Sequence, residues 1–227
     1  MALILSLETS TDVCSVAVHD SARLLASAEI HIPQSHASQL AVLTDQALNA
    51  AAVKPGQLKA VAVASGPGSY TGLRIGTSVA KGLCYGLNIP LITISPLDVM
   101  ARKVHEFNFQ KYHLCPMIDA MRMEVYCKLL DPDLNVIYPV QAKVIDQQSF
   151  SEVLDNKQVL FFGNGAQKCK SVISHANAVF LDGIYPDASQ LGVMAYEHLK
   201  ENKFSDLMAY EPVYLKEFII KKSKPAI

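Results

Sequence analysis

The sequence has little charge and lacks most of the residue patterns that carry chemistry. Charged residues make up 18% of the 227 and apolar residues 50%, where soluble domains usually carry roughly 25% charged. That balance excludes intrinsic disorder and calls for extensive burial, some of it against a partner. Twenty Lys and Arg face 21 Asp and Glu, for a net charge of −1. No global field therefore favours nucleic acid, and any contact with RNA has to be local or made through another protein. No apolar run reaches the ~18 residues needed to cross a bilayer, and the Met1 to Glu8 start lacks the basic head of a secretory signal. The five cysteines, Cys14, Cys84, Cys115, Cys127 and Cys169, are odd in number and form no C-x-x-C pair. This argues against a disulfide framework or structural zinc, so the expected setting is cytoplasmic, with reduced thiols and no membrane.

Catalytic signatures are also scarce. The seven histidines never stand as H-x-x-x-H or H-E-x-x-H, and Pro33 between His31 and His36 spoils that pair as helical ligands. No serine sits in G-x-S-x-G, which argues against a serine hydrolase.

What is present is a repeated order of elements. Short apolar runs at 3–7, 13–18 and 24–30 predict a hairpin and a third strand. The stripe Ala37, Leu40, Ala41, Thr44, Ala47, Leu48, Ala51 predicts a helix over 35–52 with Ser35 as N-cap, ended by Pro55-Gly56. A buried strand at 60–64, a glycine-rich loop at 66–72, a helix at 73–87, a strand at 91–94 and a helix at 96–104 follow. The same order then restarts: strands at 112–118, 124–130 and 135–140, a helix at 149–154, a strand at 159–162, a helix at 166–175, a strand at 179–181 and a helix at 188–201. The fold class is therefore α/β in two similar halves that meet near residues 100–110, though the halves share element order and not sequence.

Three segments are candidates for function. Gly66-Pro67-Gly68-Ser69-Tyr70-Thr71-Gly72 joins a strand to a helix, where amides and a helix N-terminus can hold an anion. It is neither G-x-x-x-x-G-K-[ST] nor G-x-G-x-x-G, and a tight turn needing positive φ is the competing reading. The Glu8-Thr9-Ser10 turn offers hydroxyls and amides to a phosphate, or merely satisfies its own backbone. Actin-like kinases carry an Asp-x-Gly-Thr-type turn there, and Glu8 and Ser10 depart from it. The following helix holds only Arg74 and Lys81 as charges over 73–87, so it must be covered on more than one side. Gly72, Gly76 and Ala80, and on another face Gly82 and Gly86, recur every four residues. Each glycine costs roughly 1 kcal/mol of helix propensity relative to alanine, which close packing offsets, either within the chain or against a partner. Lys216, Lys221, Lys222 and Lys224 form a basic stretch that is either solvated or in contact with RNA phosphate.

Taken together, residues 4–10 (ILSLETS), 35–40 (SHASQL) and especially 64–76 (ASGPGSYTGLRIG) closely resemble the bacterial TsaB (YeaZ) family. Residues 118–126 and Pro212-Val213-Tyr214-Leu215-Lys216 extend the likeness over nearly the whole chain. The resemblance implies an actin-like (ASKHA) ATPase fold with an N-terminal lobe at 1–104 and a C-terminal lobe at 105–227. It also implies a part in making threonylcarbamoyladenosine at the adenosine 3′ of the tRNA anticodon. In that family the chain would be a noncatalytic paralogue and activator of the transferase TsaD. The stretch Ser95-Pro96-Leu97-Asp98-Val99-Met100 stands where TsaD-like enzymes carry a His-x-x-x-His metal pair, and it holds no histidine, so no metal is expected. The implied partners are TsaD, the ATPase TsaE and, when alone, a second copy, with tRNA reached through the complex. Leu40, Leu43, Ala47, Ile75, Gly76, Val79, Ala80 and Leu83 are the expected interface. Thr9, Ser10, Gly66 and Gly68 would be a vestigial nucleotide site, with ADP or ATP otherwise at a partner interface and no cofactor of the chain's own. The alternative is an ATP-dependent phosphotransferase of the same fold, for which no metal carboxylate or catalytic base stands out.

Overall fold

A computed structural model describes residues 2–216. It contains two five-stranded sheets of the same topology. In the first, β1 (Leu3–Glu8), β2 (Cys14–Asp20) and β3 (Arg23–Ile30) form an antiparallel meander, and β4 (Ala60–Ala64) and β5 (Leu91–Ile94) add in parallel on the other side of β1. The order is β3-β2-β1-β4-β5. The second sheet repeats it with β6 (His113–Asp119), β7 (Glu124–Leu130), β8 (Val136–Val144), β9 (Val159–Phe162) and β10 (Ala178–Leu181), in the order β10-β9-β6-β7-β8. Residues of β1, β4 and β9 are buried throughout, as strands covered on both faces must be.

Strand alternation divides the first lobe into two cores. Leu3, Leu5 and Leu7 face α1 (His36–Ala50) and α2 (Tyr70–Leu87), while Ile4 faces α6 (Ala188–Lys200). The apolar stripe of α1 is spent on this packing: Leu40, Leu43 and Ala47 are at most 4% exposed. Ser35 occupies the N-cap position of α1, yet its Oγ donates to the Ile32 carbonyl (2.7 Å) and not to the helix. The helix expected over 166–175 is a single turn, α5 (Ala166–Cys169), and α4 (Ser151–Leu154) is equally short.

Two helices cross between the lobes. Helix α3 (Pro96–His105) places Leu97, Met100, Ala101 and Val104 in a core with Leu114, Ile118 and Phe162 of the second sheet. Helix α6 follows the second sheet in sequence but packs Leu191 and Ala195 on Ile4, Ala62 and Ile92 of the first. The division at 104/105 therefore separates the sheets but not the packed units, because each crossing helix finds its apolar complement on the other lobe. Arg102–Glu197 (3.2 Å) and Lys103–Asp187 (2.6 Å) join α3 to α6.

After α6 the chain becomes a strap over the first lobe. Ser205 pairs with Leu91, Lys81 Nζ donates to the carbonyls of Met208 and Tyr210 (3.2 and 3.1 Å), and the Val213 amide donates to the Ser65 carbonyl (2.8 Å). Lys216 is the last described residue, so Lys221, Lys222 and Lys224 lie outside the described residues.

Candidate functional site

The glycine-rich loop is packed against the first turn of the chain. A Cβ on Gly68 would lie 2.3 Å from the Ser10 carbonyl oxygen, one on Gly72 2.1 Å from that of Thr9, and one on Gly76 2.3 Å from Thr9 Oγ1. The Ser69 amide donates to the Ser10 carbonyl at 2.7 Å, and Ser69 Oγ caps α2 by accepting from the Gly72 amide (3.2 Å). On its other side Gly66, at φ +95°, lies under the strap, with a Cβ position 2.7 Å from the Val213 carbonyl oxygen. Positive φ and close backbone approach thus account for these glycines.

The site expected as vestigial is closed to solvent at the turn. Gly68 packs on Ser10 while Gly66 lies under the strap at Val213, and Thr9 and Ser10 have no exposed surface. The Ser69 amide, which an anion would need, is already spent on Ser10. The small-residue face of α2 is inward for the same reason: Gly76 is buried against Thr9, and Ala80 is fully buried in the core. Leu40, Leu43, Ala47, Gly76 and Ala80, expected at an interface, are buried within the lobe itself.

Beneath the turn lies Glu8, fully buried, with Oε1 accepting from the Ser10 amide at 2.6 Å. Burial pushes its carboxyl up to about 7, Ser10 pulls the other way, and the charge of Asp187 adds a smaller upward push. Glu8 therefore presents no carboxylate oxygen to solvent. The stretch at 95–100 opens α3, and its Leu97, Val99 and Met100 are core residues without exposure. Among the described residues no His, Cys, Asp or Glu cluster is arranged to hold a metal ion.

What stays open is the opposite face of α2. Ile75, Val79 and Leu83 are half-buried on its edge, with Arg74, Ser78, Gly82, Tyr85 and Gly86 exposed beside them. Tyr85 is 77% exposed, and Cβ positions on Gly82 and Gly86 meet nothing within 4 Å. Helix α1 adds Val42, 46% exposed. Lys81 is turned away onto the strap, and Arg74 lies beside it, lining a pocket with Tyr210 and Tyr214 of the strap. Three of the eight residues expected at an interface, Ile75, Val79 and Leu83, thus keep some exposed surface. Val42 and Tyr85, exposed on the same two helices, lie outside the expected set, and both are the apolar residues left over once each helix has filled its inward stripe.

The family model for TsaD, tRNA N6-adenosine threonylcarbamoyltransferase, matches residues 31–222. A tRNA threonylcarbamoyladenosine biosynthesis protein TsaB of Haemophilus influenzae is 28% identical over 98% of this chain and 97% of its own length. That of Escherichia coli is 28% identical over 98% of each. The solved structure of YeaZ from Pseudomonas aeruginosa superposes with a TM-score of 0.81 at 26% identity, covering 95% of this chain and all of that one. An activator of 2-hydroxyisocaproyl-CoA dehydratase from Clostridium difficile shares the fold alone, at a TM-score of 0.51 and 10% identity. With its two like sheets joined by crossing helices, the chain has the actin-like ATPase fold and belongs to the TsaD family of proteins, where its full-length relatives are the TsaB (YeaZ) members.

Proposed function

We propose that this protein takes part in forming threonylcarbamoyladenosine in tRNA as a noncatalytic subunit that docks on a TsaD-type transferase. The outer face of α1 and α2 is the docking surface, and a second copy covers it when the transferase is absent. The observation that carries this reading is the row Ile75, Val79 and Leu83, half-buried beside open Gly82 and Gly86 on a face with so little charge. Such a face gains by being covered, and glycines without a neighbour let a second helix approach closely. The sealed Thr9-Ser10 turn supports a chain with no nucleotide cradle of its own, leaving nucleotide to the partner's side and to a TsaE-type ATPase that joins the assembly.

Val79→Asp is expected to weaken both self-association and transferase binding at least tenfold, because an unpaired carboxylate would be buried on docking. Gly82→Arg separates docking from folding: its side chain starts in open space, so the monomer stays folded while close approach is blocked. Size-exclusion chromatography and calorimetry with the purified transferase read both variants, and normal assembly by both would remove this surface. The activity test is reconstitution of tRNA modification with purified partners. A strict requirement for the chain, without turnover of its own, is the expected result, and ATP turnover by the chain alone would restore the phosphotransferase reading.

A further inference from the structure

A second surface, on the strap side of the molecule, lies where the two lobes meet. Pro67, Gly68 and Tyr70 of the first lobe, Ala120, Met121 and Tyr126 of the second, and the strap from Val213 to Lys216 enclose a pocket of about 320 Å³. The β6–β7 turn on its rim is held in an unusual conformation. Met121 and Arg122 both take left-handed backbone angles (φ 69° and 48°), which disfavour side chains other than Asn, Asp or Gly. Two lysines hold the turn there. Lys168 donates to the carbonyls of Arg122 and Glu124 (both 2.7 Å) and to the Asp119 carboxylate, and Lys216 donates to the Ala120 carbonyl (3.2 Å) and pairs with Glu124. As a result Met121 is 78% exposed at the mouth of an apolar pocket whose strap wall, Val213, Tyr214 and Leu215, is itself more than a third exposed.

The charge around the mouth is unbalanced. Lys168 and Lys216 are matched by Asp119 and Glu124. Arg122, which is exposed, has no carboxylate at ion-pair distance among the described residues, whereas Arg74 lies over the Tyr70 ring at 4.9 Å, bonds to Tyr214 and lines the adjoining pocket with Glu211. Tyrosine, methionine and arginine around a preformed pocket are the composition of the energetic centre of a protein interface. A small ligand would fill the pocket and leave the Met121 and Leu215 rim in water.

We propose that this surface docks a partner protein through a segment that presents an apolar side chain flanked by carboxylates. The apolar side chain enters beside Met121 and Tyr214, and the flanking carboxylates meet Arg122. This inference rests on the assembly proposed above, and adds to it a contact that the outer face of α2 does not make.

The test uses the full chain with the TsaD-type transferase and the TsaE-type ATPase of the same organism, binding to each being measured by biolayer interferometry at low and high salt. Met121→Asp suits the backbone angle it would occupy, so lost binding cannot be ascribed to misfolding. Met121→Asp and Arg122→Glu are each expected to weaken binding of one of the two proteins at least tenfold, with Arg122→Lys within threefold of the parent and parental binding weaker at high salt. Parental binding of both proteins by Met121→Asp and Arg122→Glu overturns the inference while leaving the α2 face standing. Val79→Asp binding as the parent does the reverse, and a parent chain that binds neither protein overturns both. Peroxide oxidation of Met121 in the free chain should be fast. Slow oxidation that becomes fast once residues 217–227 are removed would mean that the chain's own end covers the pocket, which also overturns the inference.

Discussion

Gly72→Ala should destabilise the chain by about 3 kcal/mol, near the upper end of what overpacking costs. The new Cβ would stand 2.1 Å from the Thr9 carbonyl oxygen. That atom belongs to the backbone of a turn sealed on every side, so no flexible side chain can swing away. Relief has to come from moving α2 off β1, which would break the Ser69 to Ser10 hydrogen bond and expose Thr9. Gly68→Ala meets the same obstacle at the Ser10 carbonyl oxygen, 2.3 Å away. Gly82→Ala and Gly86→Ala make the contrast, because in open space an alanine only adds helix propensity and should stabilise the monomer by up to about 1 kcal/mol. Denaturant unfolding of the four variants measures both effects. A Gly72→Ala chain as stable as its parent would mean that the loop and the turn are not locked together.

Glu8→Gln should make the protein more stable at pH 8 and remove part of its pH dependence. The carboxyl is raised from an ordinary value of 4.5 to about 7 in the folded chain, chiefly by burial. Below pH 4.5 the group is protonated whether the chain is folded or not, and it has no differential effect. Between 4.5 and about 7 the unfolded chain releases the proton while the folded chain keeps it, so folding loses free energy as the pH rises. Above about 7 the whole penalty is present, on the order of 3 kcal/mol for a shift of this size. Glutamine has no charge to desolvate and its carbonyl oxygen can still accept from the Ser10 amide. Chemical denaturation of parent and variant at pH 5 and pH 8 should show a gain for Glu8→Gln at pH 8 that shrinks towards pH 5. An equal gap at both values would place the ionisation of Glu8 elsewhere.

Most of the architecture was legible because the chain alternates short runs of distinct period. The all-apolar Ala60–Ala64 can only be a strand covered on both faces, and the 3.6-residue stripe of α1 can only be a helix on a sheet. The second round of elements was visible by order alone, and the sheet orders bear it out. Less legible were short helices such as α5, where four residues give no period to read. The exchange of α3 and α6 between lobes was also hidden, because an apolar stripe records that a face is covered and not which sheet covers it.

By itself, the sequence determined the two α/β halves, the low charge of α1 and α2, and the need for close approach wherever glycine recurs every fourth residue. Only the tertiary structure decided which approach each glycine serves. Gly72 and Gly76 meet the chain's own Thr9, whereas Gly82 and Gly86, about two to four turns further along the same helix, meet nothing. Glycine spacing has no sign: it allows another backbone to come near, and whether that backbone is already present depends on the path of a turn more than sixty residues earlier in the chain.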